Sequence, residues 1–490
     1  MSRGSDDTMT KRAKARTALV WFRNDLRLAD NRPLSAACAG AERVLAVYVH
    51  DAAAAGRWQP GGAGLWWLHH SLRALSEAIA KAGGTLVLRR GDAAAIIPEL
   101  ARAAGADQVH CGATHEPWLR ELDNKVAEQL REHGIALLHH RVATLFDLDE
   151  IRTQQGGVYG VYTPFARTCR ALPDPEPPLP APKHIDAPLG DWANEALDDW
   201  GLLPTRPDWA AGLRATWQPG EAAAQARLAR FLGHHLDGYG DSRDIPGDED
   251  GTSMLSPHLR WGEISAVQVW HAARKASSAA GLGTFQGELL WHEFAAYLLA
   301  NHPTLPEQPL REAFTNLPWR RDPKALRAWQ QGRTGLPIVD AGMRQLWQVG
   351  WMHNRVRMIT ASLLCKHLLL PWQEGEDWFW DTLVDGDLAT NSASWQWVAG
   401  CGTDAQPFFR IFNPVTQSKK FDTEGTYIRR WVPELARLPN RYLHAPWEAP
   451  SAALTQAGVA LGRDYPRPIV SLAEGRDRAL AAFRDEVRHT

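Results

Sequence analysis

The stretch ALVWFRNDLRLADN, Ala18–Asn31, runs from an apolar, β-rich segment into a loop of alternating charge. Its first five residues read as a buried strand. In a dinucleotide-binding fold such a strand is followed by G-x-G-x-x-G. Here the loop holds no glycine, and G-x-x-x-x-G-K-[ST] occurs nowhere in the chain. Working outward, RVLAVYVH, TLVLRR, DQVHC and IALLHH follow at intervals, separated by amphipathic segments such as LWWLHHSLRALSEAIAKAG and ELDNKVAEQLREHG. Short apolar strands alternating with helices predict a parallel α/β sheet between residues 17 and 142, with no dinucleotide site of the usual kind.

Beyond it the pattern dissolves. LPDPEPPLPAPKHIDAPLG, Leu172–Gly190, carries seven prolines and marks residues 143–220 as a stiff connector. From Glu221 to the end the periodicity is helical, as in EAAAQARLARFLGHHL and HNRVRMITASLLCKHLLL, which predicts an all-α domain over 221–490. Residues 1–16 are charged, lack an apolar core and read as a disordered tail. No run approaches the length of a membrane span.

A length of 490 residues favours two domains, and a net charge of -2 gives no global basic field, so any nucleic-acid contact must be a local patch. Five scattered cysteines without a C-x-x-C pair argue against disulfides or structural zinc and for the reduced cytoplasm. WHEF, Trp291–Phe294, lacks the second histidine of a zinc-protease helix, so no metal is expected. The adjacent pairs His69/His70, His139/His140 and His234/His235 point apart and read as structural. The unusual feature is 23 tryptophans, 14 of them from Glu221 onward. Indole fills cores, stacks on flat partners and carries an electron hole.

Several segments carry chemistry. Tyr239–Ser265 joins a Gly/Asp/Pro loop to Thr252, Ser253 and Ser256 at a helix start, which suits either a phosphate or an ordinary cap. Asn354, Arg355, Arg357 and Met358 share one helix, and the two arginines face different sides. RIFNPVTQSKKFDTEGTYIRRW, Arg410–Trp431, interleaves cations with aromatics as a nucleic-acid rim or a charged surface would. In DGDLATNSASWQWVAG, Asp385–Gly400, a helix after Gly386 puts Asn391 and Trp395 on one face and turns Trp397 away. Core packing explains the indoles but not Asp385, Asp387 and Asn391, for which Arg357 and a polar ligand are the available partners.

Together these segments resemble the photolyase/cryptochrome flavoprotein family. The resemblance runs through VWFRNDLRLADN, VYTPFARTC, DGTSMLSPHLRWGEIS, GWMHNRVRMI, DGDLATNSASWQWVAGCGTDAQPFFRIFNP and QSKKFD, in the family's order and over nearly the whole chain. It implies a Rossmann-like α/β antenna domain joined to an all-α domain that holds FAD in a folded conformation. By motif, Tyr239, Thr252, Ser253, Met254, Leu255 and Ser256 would hold the ribityl and phosphate groups. Asn354, Arg357, Asp385, Asp387 and Asn391 would surround the ring system. His292 stands where members usually have arginine. Trp395, Trp372 and Trp319 would form the electron chain. Glu288, Trp291, Trp397, Arg243, Arg355, Met358 and Gln417 would meet damaged DNA, and Lys419 and Lys420 nearby phosphates.

Asn391 in the position facing the flavin resembles photolyases rather than cryptochromes, which carry Asp or Cys there. Asn354 and Met358 stand where (6-4) enzymes have catalytic histidines. The resemblance thus implies a monomeric DNA-repair enzyme that splits cyclobutane pyrimidine dimers with an electron lent by excited, reduced FAD. The second reading is a cryptochrome-type blue-light photoreceptor, which would need a partner-binding tail, whereas the chain ends soon after WVPEL, Trp431–Leu435. A nucleotidyl-transferring synthetase would need an H-I-G-H-like motif after the first strand, where RNDLRLADN stands. Glu116, in GATHEP, is the position at which a methenyltetrahydrofolate antenna is expected, with 8-hydroxy-5-deazaflavin as the alternative.

Overall fold

The structure is a computed structural model that describes residues 15–276, 280–404 and 410–486. The expected tail therefore lies almost wholly outside the described residues, and Ala15 and Arg16 already belong to the first strand. Ala405 to Phe409, which include all of QPFFR but its last residue, lie outside them too.

Five parallel strands form the expected sheet: β1 (Ala15–Phe22), β2 (Ala41–His50), β3 (Leu86–Arg90), β4 (Gln108–Gly112) and β5 (Ala136–His140), in the order β3-β2-β1-β4-β5. Val20 of β1 lies between Ala46 of β2 and His110 of β4. Helices α1 (Arg32–Gly40), α2 (Gly62–Lys81), α3 (Ala93–Ala103) and α4 (Pro117–Arg131) cross between strands. Because side chains alternate along a strand, β1 serves two cores. Leu19 and Trp21 pack with Ile97 of α3 and Leu122 of α4. Ala18, Val20 and Phe22 join a core that continues through Trp66 of α2 into the helical domain at Leu346 and Trp395.

The glycine-free loop after β1 fastens the domains. It leaves the sheet where strand order reverses, the place where open α/β sheets usually bind ligands. Here Arg27 is buried and donates to the Gly262 carbonyl at 2.9 Å, the amides of Leu28 and Ala29 donate to the Glu221 carboxylate at 2.7 and 2.9 Å, and Ser265 Oγ donates to Asp30 at 2.5 Å. Gly262 has φ +64°, and a Cβ there would lie 2.1 Å from the Asn24 carbonyl oxygen. Only glycine permits that approach.

The connector is not featureless as its composition suggests. It forms α5 (Tyr162–Ala171), which buries Phe165, Ala166 and Cys169, because VYTPFARTC carries apolar residues at helical spacing. The helical domain contributes α6 (Glu221–His234), α7 (Ala280–Asn301), α8 (Pro337–Val349), α9 (Asn354–Ser362), α10 (Trp372–Thr382), α11 (Leu388–Ala399) and α12 (Pro414–Phe421) to the argument below. Helix α11 begins where Asp387 accepts a hydrogen bond from the Thr390 amide at 2.8 Å. It packs against α7, α9 and α10, so residues far apart in sequence converge on it. No helix among the described residues is long and apolar enough to cross a membrane, and no disulfide joins any of the five cysteines.

Candidate functional site

A cavity of about 440 Å³ opens between α7, α9 and α11 and the loop before Ser256. Its wall carries Tyr239, Thr252, Ser253, Met254, Leu255 and Ser256, then Asn354, Arg357 and Asp385, and finally Arg243, Glu288, Trp291, Arg355, Met358 and Trp397. The structure therefore brings together most of the residues singled out in the sequence. Gln417 sits on α12, away from this wall, and Asp387, Asn391 and Trp395 lie behind it.

The polar anchor is an ion pair. Arg357 Nη2 donates to both Asp385 oxygens at 3.1 and 2.8 Å while its Nε donates to the Met352 carbonyl at 2.7 Å, which fixes the guanidinium against the cavity. Asp385 needed a partner for its buried carboxylate and finds it on the neighbouring helix. Arg355, on the other side of α9, does have an acid: its Nη2 lies 2.7 Å from Asp244, and its guanidinium lies 4.4 Å from the centre of the Phe421 ring. Asp244 comes from another segment, so spacing along the helix does not reveal the pair. Arg355 Nε is buried without a hydrogen-bond partner among the described residues. Arg243 pairs with Glu288, so two residues expected to meet DNA separately are coupled to each other. His353 caps α9 through its Nδ1, which accepts the Arg355 amide at 3.2 Å. Burial holds its imidazole down to about 4, so it is neutral near pH 7.

A second cavity of about 150 Å³ shares Ser256, Leu259, Leu289, His292, Asp385 and Thr390 with the first. Asp387 and Glu116 line it, together with the loop after β1. His292 Nδ1 lies 3.3 Å from Thr390 Oγ1, a contact to α11. Glu116 is already engaged by Trp118 Nε1 at 2.9 Å, Asn24 at 3.4 Å and Arg260 at 3.5 Å, and burial raises its carboxyl. The space beside it is below the roughly 300 Å³ at which ordinary ligand pockets begin.

Behind the wall, α10 carries Trp372 and α11 carries Trp395, with Trp319 on a separate loop. Trp395 and Trp372 are fully buried and Trp319 is half-buried, so the three grade from core toward surface. The indole of Trp395 packs over Gly375 of α10, where a Cβ would lie 2.1 Å from its ring. Its nearest ring partners are Phe379, at 5.0 Å and 70°, and Trp329, at 6.2 Å and 69°, neither of which the sequence marked. Asn391 Nδ2 donates to the Glu376 backbone carbonyl at 3.1 Å, which leaves its Oδ1 directed elsewhere. Glu376 itself accepts from Ser392 Oγ at 2.5 Å, and burial pushes its carboxyl up to about 8. That buried acid has no sequence signal, since one glutamate in PWQEGEDWFW looks like any other. In the pair His139/His140, His139 Nε2 lies 3.0 Å from Asp123 and His140 stacks on His110, contacts within the α/β domain. His139, Asp123 and Cys111 together make a group with metal-ligand atoms, but Arg23 already holds Asp123 at 2.6 Å.

The comparisons with known proteins agree with this arrangement. Residues 18–183 match the family described as DNA photolyase, and residues 285–485 match the FAD binding domain of DNA photolyase. The chain is 48% identical over 473 residues to the deoxyribodipyrimidine photo-lyase of Agrobacterium fabrum, covering 96% of this chain and 98% of that protein. It is 37% identical over 479 residues to cryptochrome-1 of Arabidopsis thaliana, covering 95% of this chain and 70% of that one. The crystal structure of a bacterial class III photolyase from Agrobacterium tumefaciens superposes with a TM-score of 0.93 at 47% identity, covering 99% of this chain and all of the other. The wall residues fit FAD in chemistry: the cavity has ligand size, a fixed cation–carboxylate pair, hydroxyls and backbone amides in one loop, and a buried arginine nitrogen still in want of an acceptor.

Proposed function

This chain belongs to the DNA photolyase and cryptochrome flavoprotein family, and from that premise we propose that it is a cyclobutane-pyrimidine-dimer photolyase acting on UV-damaged DNA. One observation carries the reading. The Arg357–Asp385 pair and the indoles of Trp291 and Trp397 line the same cavity, so a flavin on the first would meet a base between the second.

The chemistry supplied by bound, reduced FAD is a light-driven loan of one electron that opens the cyclobutane ring and is then returned. The chain's own residues do the rest. Tyr239 and the Thr252–Ser256 loop take the ribityl and phosphate groups, and Asn354, Arg357 and Asp385 take the ring system. Asp387, on the second cavity, would extend that contact, and the Asn391 amide, held through its Nδ2 by the Glu376 carbonyl, would offer its oxygen toward the ring system. Trp291 and Trp397 stack on the flipped-out dimer, which returns about 1–3 kcal/mol per base against the cost of flipping. Glu288, paired with Arg243, would accept from base N–H groups, while the guanidinium would face carbonyls on which negative charge grows. Arg355 and Met358 complete the pocket rim, and Lys419 and Lys420, exposed on α12 with Gln417, hold phosphates. Trp395, Trp372 and Trp319 would carry an oxidising hole outward from the flavin toward the surface.

The protein acts as a cytoplasmic monomer in this reading, and the absence of any disulfide among its five cysteines supports the compartment. The antenna is a separate proposal, methenyltetrahydrofolate first and 8-hydroxy-5-deazaflavin second. The saturated Glu116 carboxylate and the small space beside it weigh against either at that position, and pigment extracted from purified protein decides. The decisive experiment incubates reduced protein with UV-irradiated oligo(dT) in blue light and in darkness. Light-dependent loss of dimers is expected; binding without repair would make the protein a sensor instead.

A further inference from the structure

We propose that Tyr162 is a positioning residue of the lesion pocket, a fixed back wall that leaves Trp291 one preset face for a flipped-out base. This rests on the reading of Trp291 as a base-stacking residue. The two rings lie 3.6 Å apart between centroids and 6° from parallel, so one whole face of the indole is covered by the phenol. Tyr162 does not line the cavity, whereas Trp291 does, and 37% of Trp291 remains exposed. The phenol hydroxyl donates to the Gly287 carbonyl at 2.8 Å, one helical turn before Trp291 on α7. Burial pushes that hydroxyl up to about 12, so it is a donor throughout the working pH range. Phe294 closes the side of the stack, edge-on to Tyr162 at 6.0 Å and to Trp291 at 6.1 Å.

Near-parallel rings with little offset are not the arrangement aromatic quadrupoles prefer. The hydroxyl bond to Gly287 and the packing of α5 must hold it. Helix α5 is fixed through buried Phe165 and Cys169, and Arg170 donates to the Gly283 carbonyl at 3.2 Å, a turn further back on α7. The consequence is preorganisation. An indole alone on a helix surface samples rotamers and loses that freedom when a base stacks on it, whereas a clamped indole has lost it on folding. The connector, whose composition marks it as a spacer, thereby takes part in recognising damage.

The test uses FAD-loaded protein and compares Kd for dimer-containing and undamaged duplex, with dimers split per absorbed photon at saturation as the second readout. Tyr162→Leu should weaken dimer-specific binding roughly three- to ten-fold, with undamaged binding and photon yield unchanged. Tyr162→Phe keeps the ring but loses its bond to Gly287, so its discrimination should fall between wild type and Tyr162→Leu. Tyr162→Met, of similar volume, replaces the leucine variant should it fail to fold. Trp291→Ala should lose at least as much, and the double variant no more than Trp291→Ala alone. Unchanged discrimination in Tyr162→Leu, or losses that simply add in the double variant, overturn the proposal. Unchanged binding in Trp291→Ala overturns the reading of Trp291, and this proposal with it.

Discussion

Glu376 of α10 is a buried carboxylic acid that accepts a hydrogen bond from Ser392 of α11 and stays neutral at pH 7. Unfolded, it releases its proton near 4.5; folded, it keeps it to about 8. Its raised value therefore favours the folded state most below pH 4.5, and that contribution declines as pH climbs to 8, by at most about 1.4 kcal/mol per unit. Glu376→Gln removes the titration. The melting temperature of the variant, minus that of the wild type, should rise between pH 5 and 8, and a difference independent of pH would show that the acid ionises freely in the fold. Asp385→Asn tests the other charged element of the site. It takes one partner from Arg357, at a cost of about 2 kcal/mol for a charged hydrogen bond, so FAD should be retained poorly through gel filtration, as read from flavin absorbance. Asp385 was legible in the sequence because it sits in a motif rich in polar groups with a cation available. Glu376 was not, because burial belongs to the packing of α10 on α11.

At the level of elements, α11 turns its two tryptophans to different faces. Trp395 faces α10 and lies over Gly375, while Trp397 turns to the cavity. That separation of faces followed from the helical repeat of 3.6 residues once a helix was placed after Gly386, and the tasks assigned to the faces come from the family resemblance. Trp319→Phe should block photoreduction of the flavin and leave repair by chemically reduced enzyme intact, as followed by flavin bleaching and dimer assay on the same sample. Gly375→Ala drives a methyl into the Trp395 ring. It should lower stability by about 1–3 kcal/mol and slow photoreduction more than repair, measured by thermal unfolding and flash spectroscopy. Trp329, edge-on to Trp395, escaped the sequence reading because nothing local sets WQQG apart from other core tryptophans. Helix α5 escaped it for the opposite reason, since the prolines that follow it dominate the composition of the connector.

At the scale of the whole molecule, the loop RNDLRLADN is the joint. Gly262→Ala should open it, because a Cβ there meets the Asn24 carbonyl and the backbone is left-handed. Loss of cooperativity, with two calorimetric transitions in place of one, is the expected result; an unchanged single transition would mean that the joint is dispensable. By itself the sequence determined the two fold classes, the order of the sheet's five strands along the chain, the helix that carries Asn391 and Trp395, and, through its motifs, the family. Those are properties of local periodicity, of capping and of segments long enough to be specific. Only the tertiary structure decided which charges neutralise each other, as Arg355 with Asp244 and Arg243 with Glu288 do. It alone placed Glu116 in a filled corner, Glu376 in the core and Tyr162 behind Trp291. Each of these joins residues from separate segments, and such meetings are set by how helices and sheet pack, which a local pattern of residues does not encode.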